Sequence, residues 1–267
     1  MTKKIGFYGT GNMGRAMIEG LISSKLYSPE NIYIYDVYKP LVEKLSKELS
    51  VVGTDDPKKL ATDCEIIVFA VKPYILPQLL KELSANLTKK QILISIAAGV
   101  SISTMENVLS KEHKIVRVMP NTPALVGEGM SAISPNNSVK DNEKEEVLSI
   151  FRSFGRAEDV SENLMDAVVG VSGSSPAYVY MFIEALADGA VLEGMPRDKA
   201  YEFAAQTVYG SAKMVLETQK HPGQLKDMVT SPGGTTIEAV KCLEDKGFRS
   251  SVIGAVRAAA KRNKELG

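Results

Sequence analysis

Lys4-Ile5-Gly6-Phe7-Tyr8-Gly9-Thr10-Gly11-Asn12-Met13-Gly14 decides the fold of this 267-residue chain. Its first five residues are a short strand-like run, and the glycines follow as Gly-x-Gly-x-x-Gly. Met13, Met17, Ile18 and Leu21 then recur near the 3.6-residue period of a helix. A second β-branched and aromatic run, 32–35, ends at Asp36, 22 residues beyond Gly14. A glycine triplet alone is a weak signal. A strand before it, a helix after it and an acid at the next strand end give it the context of a dinucleotide site. There Gly9 permits the tight turn, Gly11 lets the backbone approach a pyrophosphate, and Gly14 allows close helix–strand packing. The helix N-terminus offers unpaired N–H groups and a partial positive charge to the phosphates, so Thr10, Asn12 and Met13 join the three glycines as cofactor-binding candidates.

Outward from this loop the chain alternates in type. Leu41, Leu45 and Leu49 repeat at helical spacing, and apolar runs at 66–71, 92–96 and 115–119 read as buried strands. Strands alternating with helices predict a parallel sheet covered by helices on both faces. Runs at 130–134 and 157–160, separated by an acidic helix over 142–151, extend that sheet. After about residue 162 the strands stop, and Val179, Phe182, Ile183, Leu186 and Ala190 follow helical spacing, as do 198–216 and 253–266. Small residues such as Ala187, Gly189, Ala204, Gly210 and Ala212 let helices approach closely, which suits an intrachain core and a dimer interface equally. The expected class is α/β, with a Rossmann-type dinucleotide-binding domain over 1–162 and an all-helical domain over 163–267.

The 32 Lys plus Arg balance 32 Asp plus Glu, so net charge gives no reason to expect nucleic acid or an anionic membrane as partner. The longest apolar runs fall far below the roughly 18 residues of a membrane span. Met1-Thr2-Lys3-Lys4 precedes no signal-peptide core, and a cytoplasmic chain is expected. Cys64 and Cys242 stand in no Cys-x-x-Cys spacing, and reduced thiols are favoured over a disulfide. His113 and His221 share no ligand cluster, so no metal is expected.

Asp36 stands where a carboxylate can hydrogen-bond the ribose hydroxyls of NAD. Facing the 2′-phosphate of NADP it would repel a like charge about 4 Å away by roughly 4 kcal/mol at an effective dielectric of about 20. Solvent and Lys39 reduce that figure. The expectation is NADH or NADPH, with NADH favoured, and exchange of Asp36 for Ser is expected to raise the relative efficiency with NADPH.

Further segments carry a more specific signal. They are Ala70-Val71-Lys72-Pro73, Ser95-Ile96-Ala97-Ala98-Gly99, Arg117-Val118-Met119-Pro120-Asn121-Thr122-Pro123, Gly173-Ser174-Ser175-Pro176-Ala177-Tyr178, and Thr230-Ser231-Pro232-Gly233-Gly234-Thr235-Thr236 followed by Ile237-Glu238-Ala239. In this order, over essentially the whole chain, they resemble pyrroline-5-carboxylate reductase. The resemblance implies reduction of 1-pyrroline-5-carboxylate to L-proline by hydride transfer from NAD(P)H, the last step of proline biosynthesis. It also implies a homodimer with interleaved helical domains, in which substrate loops of one subunit complete the partner's site. Larger assemblies of such dimers occur in the family. By the same resemblance Ala70, Val71, Lys72, Pro73, Ala97, Ala98 and Asn121 join Asp36 on the cofactor side, and Ser231, Gly233, Gly234, Thr235 and Thr236 hold substrate. Thr236 is the candidate for contact with the imine nitrogen, as proton donor or positioning group. A Gly-Gly-Thr-Thr loop at a helix start supplies backbone N–H groups and hydroxyls suited to a carboxylate. The same residues also suit a plain helix cap.

There are departures. Ser175 stands where the family commonly has glycine, and Gln219 where some members have glutamate. A rival of similar design, a 3-hydroxyacid dehydrogenase, needs a lysine base in Gly-x-x-Gly-x-Gly-x-x-x-Lys-x-x-Asn. Laid from Gly170, that pattern meets Val179 and Phe182 at its lysine and asparagine. The alternatives left are a reductase of a related cyclic imine carboxylate and a non-catalytic dinucleotide-binding sensor.

Overall fold

The computed structural model describes residues 3–266. The chain runs β1 (Ile5–Tyr8), α1 (Asn12–Ser23), β2 (Ile32–Tyr35), α2 (Lys39–Leu49), β3 (Val52–Gly53), α3 (Pro57–Asp63), β4 (Ile66–Phe69), α4 (Leu76–Leu83), β5 (Ile92–Ser95), α5 (Ile102–Val108) and β6 (Lys114–Met119). It continues through β7 (Gly129–Pro135), α6 (Asp141–Arg152), β8 (Gly155–Asp159) and α7 (Met165–Val168). A π-helical turn, Val169–Gly173, leads into α8 (Ser175–Leu192), α9 (Arg197–Thr218), α10 (Pro222–Met228), α11 (Thr235–Asp245) and α12 (Phe248–Leu266).

The strands form one sheet in the order β3-β2-β1-β4-β5-β6-β7-β8. Successive residues of a strand point to opposite faces, and both faces here are covered, so the strands read as unbroken apolar runs. Phe7, Ile34, Val68 and Ile94 face one side with Met17, Ile18 and Leu21 of α1. Tyr8, Ile67, Phe69 and Leu93 face the other with Leu60, Leu76 and Leu80. Each such fully buried side chain contributes about 1.5–3 kcal/mol.

Two expectations need correcting. The sheet is not parallel throughout, because β7 runs antiparallel to β6. The connection between them is a single 3-10 turn, Thr122–Val126, and a parallel return needs a crossover of a dozen or more residues. The acidic helix α6 supplies such a crossover, and β8 lies parallel to β7. The runs at 66–71 and 92–96 also overshoot their strands, which end at Phe69 and Ser95. Ala70, Val71 and Ile96 are apolar because they line a cavity beyond the strand ends.

By compactness the chain divides into one unit reaching Gly173 and rejoined from Ala259 onward, and a second unit, Ser174–Ala258. The division falls later than the expected cut after residue 162. Residues just past that point stay with the sheet because Met165 packs with Met119 and Ala132, and Asn263 Nδ2 donates to Asp166 Oδ1 at 2.7 Å. The second unit is helical and has a thin core: Ala187, Ala200 and Ala204 are its buried apolar residues among those described. Tyr180, Met181, Phe203, Met228, Val229 and Ile253 stay largely exposed on it. So many large apolar side chains left in water are unusual for a free-standing helical unit.

Candidate functional site

The strand order reverses between β1 and β4, and in open α/β sheets ligands bind beyond the strand ends at such a point. A cavity of about 870 Å³ lies there, within the size range of small-molecule sites. Its floor is the glycine loop. Gly9 adopts φ +94, and a Cβ on it would stand 2.5 Å from the Ala70 carbonyl oxygen. A Cβ at Gly14 would collide with the Gly9 carbonyl oxygen, which is the close packing expected of the third glycine. Gly11 has open space where a side chain would be. It is the N-cap of α1, with no side-chain cap bond, and Arg15 N–H donates to its carbonyl at 2.9 Å. The first-turn N–H groups of α1 therefore have no intrahelical partner and suit a pyrophosphate. The residues present fit a dinucleotide.

Of the cofactor candidates read from the sequence, Gly9, Gly11, Asn12, Met13, Asp36, Ala70, Val71, Lys72, Pro73, Ala97 and Ala98 line this cavity. Gly14 lies behind the loop, and two further candidates do not line it. Thr10 is buried and turned inward: its N–H and hydroxyl donate to Asp36 Oδ2 at 2.8 and 3.0 Å. Asn121 Nδ2 donates to the carbonyl and hydroxyl oxygens of Ser172, both at 3.3 Å, and its Oδ1 accepts the Met130 N–H at 2.8 Å. Asn121 thus orders the loop after β6, while its neighbours Met119 and Pro120 form the cavity wall. Lys39 pairs with Asp55 at 3.4 Å.

Sequence reasoning missed Tyr35, Val37, Pro57, Tyr74, Ile75, Gln78, Leu79 and Glu82, which also line the cavity. Tyr74 and Val37 are 82% and 86% exposed, unusual for large apolar groups beside a cavity. Position marks some of them: Tyr35 and Val37 flank Asp36, and Tyr74 and Ile75 follow Pro73 directly, whereas no sequence signal marks Pro57, Gln78, Leu79 or Glu82. Among the described residues no group of three or more His, Cys, Asp or Glu is placed to hold a metal ion. A second cavity of about 380 Å³ holds Glu106, Asp159 and Glu162, whose carboxylates are engaged by Asn136, Lys144 and Arg117.

In the helical unit, Gly233 has φ +68 and Gly234 caps α11 with extended backbone. Gly234 N–H donates to the Ser231 carbonyl at 3.0 Å, closing the Ser-Pro-Gly-Gly turn. No side-chain hydrogen bond caps α11, although Ser231, Thr235 and Thr236 surround its start. Thr236 is half-buried, and Ser231, Gly233 and Thr235 are exposed. Gln219 closes α9 in the left-handed region at φ 57, with its Nε2 donating to the Leu216 carbonyl. Ser175 is the first residue of α8.

Two family models match. One described as NADP oxidoreductase coenzyme F420-dependent covers residues 4–99, and one described as pyrroline-5-carboxylate reductase dimerisation covers residues 162–266. The pyrroline-5-carboxylate reductase of Escherichia coli (strain K12) is 51% identical over 266 residues, with 100% of this chain and 99% of that protein covered. The solved structure of a pyrroline-5-carboxylate reductase from Coxiella burnetii superposes with a TM-score of 0.94 at 37% identity, covering 100% and 99% of the two chains. That of the Plasmodium falciparum pyrroline carboxylate reductase with NADP bound gives 0.89 at 38% identity, covering 99% and 98%. With the glycine loop, the uncapped start of α11 and half its residues shared along the full length of a relative, the chain belongs to the pyrroline-5-carboxylate reductase family.

Proposed function

We infer that the chain reduces 1-pyrroline-5-carboxylate to L-proline with NADH or NADPH as the reductant. The observation that carries this reading is the N-terminus of α11: it lacks a side-chain cap while two threonines and two glycines stand at it. The N-cap of α11 is Gly234, which has no side chain to bond the first N–H groups, and Thr235 is already the first helical residue. Left free, these N–H groups and the hydroxyls suit the substrate's ring carboxylate, with charge-assisted bonds of about 1.5–3 kcal/mol each.

When bound, the reduced nicotinamide supplies a hydride, which adds to the imine carbon of the protonated ring and leaves a secondary amine. A protonated imine is already electrophilic, so the chain contributes chiefly geometry. Ser231, Gly233, Gly234, Thr235 and Thr236 hold the carboxylate and ring, with Thr236 beside the imine nitrogen. Ala97 and Ala98, with Met119 and Pro120, supply an apolar wall for the nicotinamide. Asn12, Met13 and the glycines take the pyrophosphate, Ala70–Pro73 the adjoining ribose. The charge of Asp36 opposes a 2′-phosphate and favours NADH.

Residues 163–267 act on this reading as the dimerisation and substrate-loop domain. Their exposed apolar side chains support a homodimer with interleaved helices, and a larger assembly of such dimers belongs to the same reading. Cys64 and Cys242 are both free thiols, in keeping with a reducing cytoplasm. The test follows reduced-nicotinamide absorbance on mixing the purified protein with pyrroline-5-carboxylate, NADH and NADPH in parallel, with the six-membered homologue as competitor. Oxidation with L-proline as product is expected. Binding of both cofactors without oxidation of either would overturn the reading.

A further inference from the structure

We propose that Asp36 is a positioning residue that clamps the phosphate loop from within, rather than a carboxylate reserved for ribose. The proposal rests on reading the cavity as a dinucleotide site. An ionised carboxylate has about four acceptor positions. In Asp36 three are taken by the chain itself: Oδ2 receives the N–H and the hydroxyl of Thr10, and Oδ1 receives the Tyr38 N–H at 3.0 Å. Thr10 is 1% exposed and absent from the cavity lining, so its side chain serves this bond and not a ligand. The preceding residue is held by the same strand end, since Gly9 N–H donates to the Tyr35 carbonyl at 2.9 Å.

Two consecutive loop residues are thus tied to two consecutive residues at the end of β2. This fixes the loop just before Gly11, where the chain must present free N–H groups of α1 to the phosphates. Without Asp36, the buried N–H and hydroxyl of Thr10 have no acceptor, and the loop must shift to find one. Substitution at 36 therefore acts on the pyrophosphate seat first and on the choice between NADH and NADPH second.

The experiment uses the full-length protein without imine substrate. Binding of ADP-ribose is measured by calorimetry for wild type, Thr10→Val, Asp36→Asn, Asp36→Ala and the Thr10→Val, Asp36→Ala double variant. Amide hydrogen exchange at residues 10–11 is followed in the ligand-free proteins, and circular dichroism identifies any variant that fails to fold. Thr10→Val is expected to weaken ADP-ribose by about three- to tenfold, a part of the worth of one bond to a carboxylate, although its side chain touches no ligand. Exchange at residues 10–11 should accelerate in Thr10→Val and Asp36→Ala, and the double variant should bind no worse than Asp36→Ala alone, as for two ends of one interaction. Asp36→Asn, which keeps an acceptor oxygen, should fall between wild type and Asp36→Ala. Wild-type binding and exchange in Thr10→Val, with Asp36→Ala losing affinity and keeping wild-type exchange, would overturn the clamp in favour of a ribose ligand. Failure of the wild-type protein to bind ADP-ribose would instead remove the dinucleotide reading on which the clamp depends.

Discussion

Glu162 holds Arg117 against the sheet: one carboxylate oxygen receives the guanidinium Nη1 at 3.0 Å and also the Ile102 N–H at 2.8 Å. The Arg117 side chain is 8% exposed and its Nε is buried without a hydrogen-bond partner, whereas Glu162 keeps 32% exposure. Breaking a fully buried pair from one side costs about 3–5 kcal/mol, and the partial exposure here lowers the expectation for Glu162→Gln to about 2–3 kcal/mol. Arg117→Leu should cost less, because it removes the buried charge along with its unpaired nitrogen. Thermal midpoints at one fixed protein concentration check the order. A larger loss for Arg117→Leu would refute it.

Thr236→Ala is expected to lower turnover about tenfold to a hundredfold, the equivalent of one charge-assisted hydrogen bond, while NADH binding in the absence of imine stays as in wild type. Steady-state rates with separate cofactor titrations check this. Unchanged turnover would make Thr236 a residue of the helix start and nothing more.

Tyr74 lies on the cavity rim with its ring in water. A flat, exposed aromatic on that rim suits stacking on the adenine of the dinucleotide, worth about 0.5–1.5 kcal/mol. Tyr74→Ala should therefore weaken NADH and NADPH alike, by about three- to tenfold, and Tyr74→Phe should not. Equal binding by the alanine variant would place the adenine elsewhere.

Asn121→Ala should cost about 1–2 kcal/mol of stability and speed amide exchange at 169–173, since the side chain ties Ser172 to the Met130 N–H. Cofactor affinity should barely change. A loss beyond tenfold would show instead that the amide reaches the ligand.

Burial raises the Cys64 thiol from 9.0 to about 12. Its neutral form is thus favoured in the folded chain. The unfolded chain binds fewer protons between those values, so stability is fully present below about pH 9 and declines as pH rises towards 12. Cys64→Ala should cost stability at pH 7 by opening a small void, yet show a shallower alkaline decline. Denaturation midpoints at pH 8 and 10.5 test the difference in slope, and identical slopes would assign the alkaline loss to other groups.

The glycine loop was legible because its backbone admits few other residues: Gly9 needs positive φ and Gly14 needs contact with a carbonyl. The apolar strands were legible for the same kind of reason, since a strand buried on both faces has little freedom in composition. Their ends were not. Apolar residues continue into the cavity wall at Ala70 and Ile96, and hydropathy does not distinguish a core from a binding surface. The direction of β7 depends on how short a turn can be, which periodicity does not encode. The partners of Asp36 were hidden because Thr10 meets it only after β1 and β2 pair, and a threonine inside a glycine loop looks like a ligand residue until its hydroxyl is located.

The bond between Asn263 and Asp166 bears on the order in which the chain is made. Synthesis delivers the whole sheet and α7 well before α12. The nascent sheet unit must therefore wait, with the Asp166 carboxylate unmatched, until the final turns emerge. A chain stopped anywhere before Asn263 lacks that closing bond, however complete its strands. Cutting the gene after residue 173 to obtain a free-standing cofactor domain would accordingly yield a sheet missing one of its own pieces. A sound excision would have to graft the segment from Ala259 back onto it.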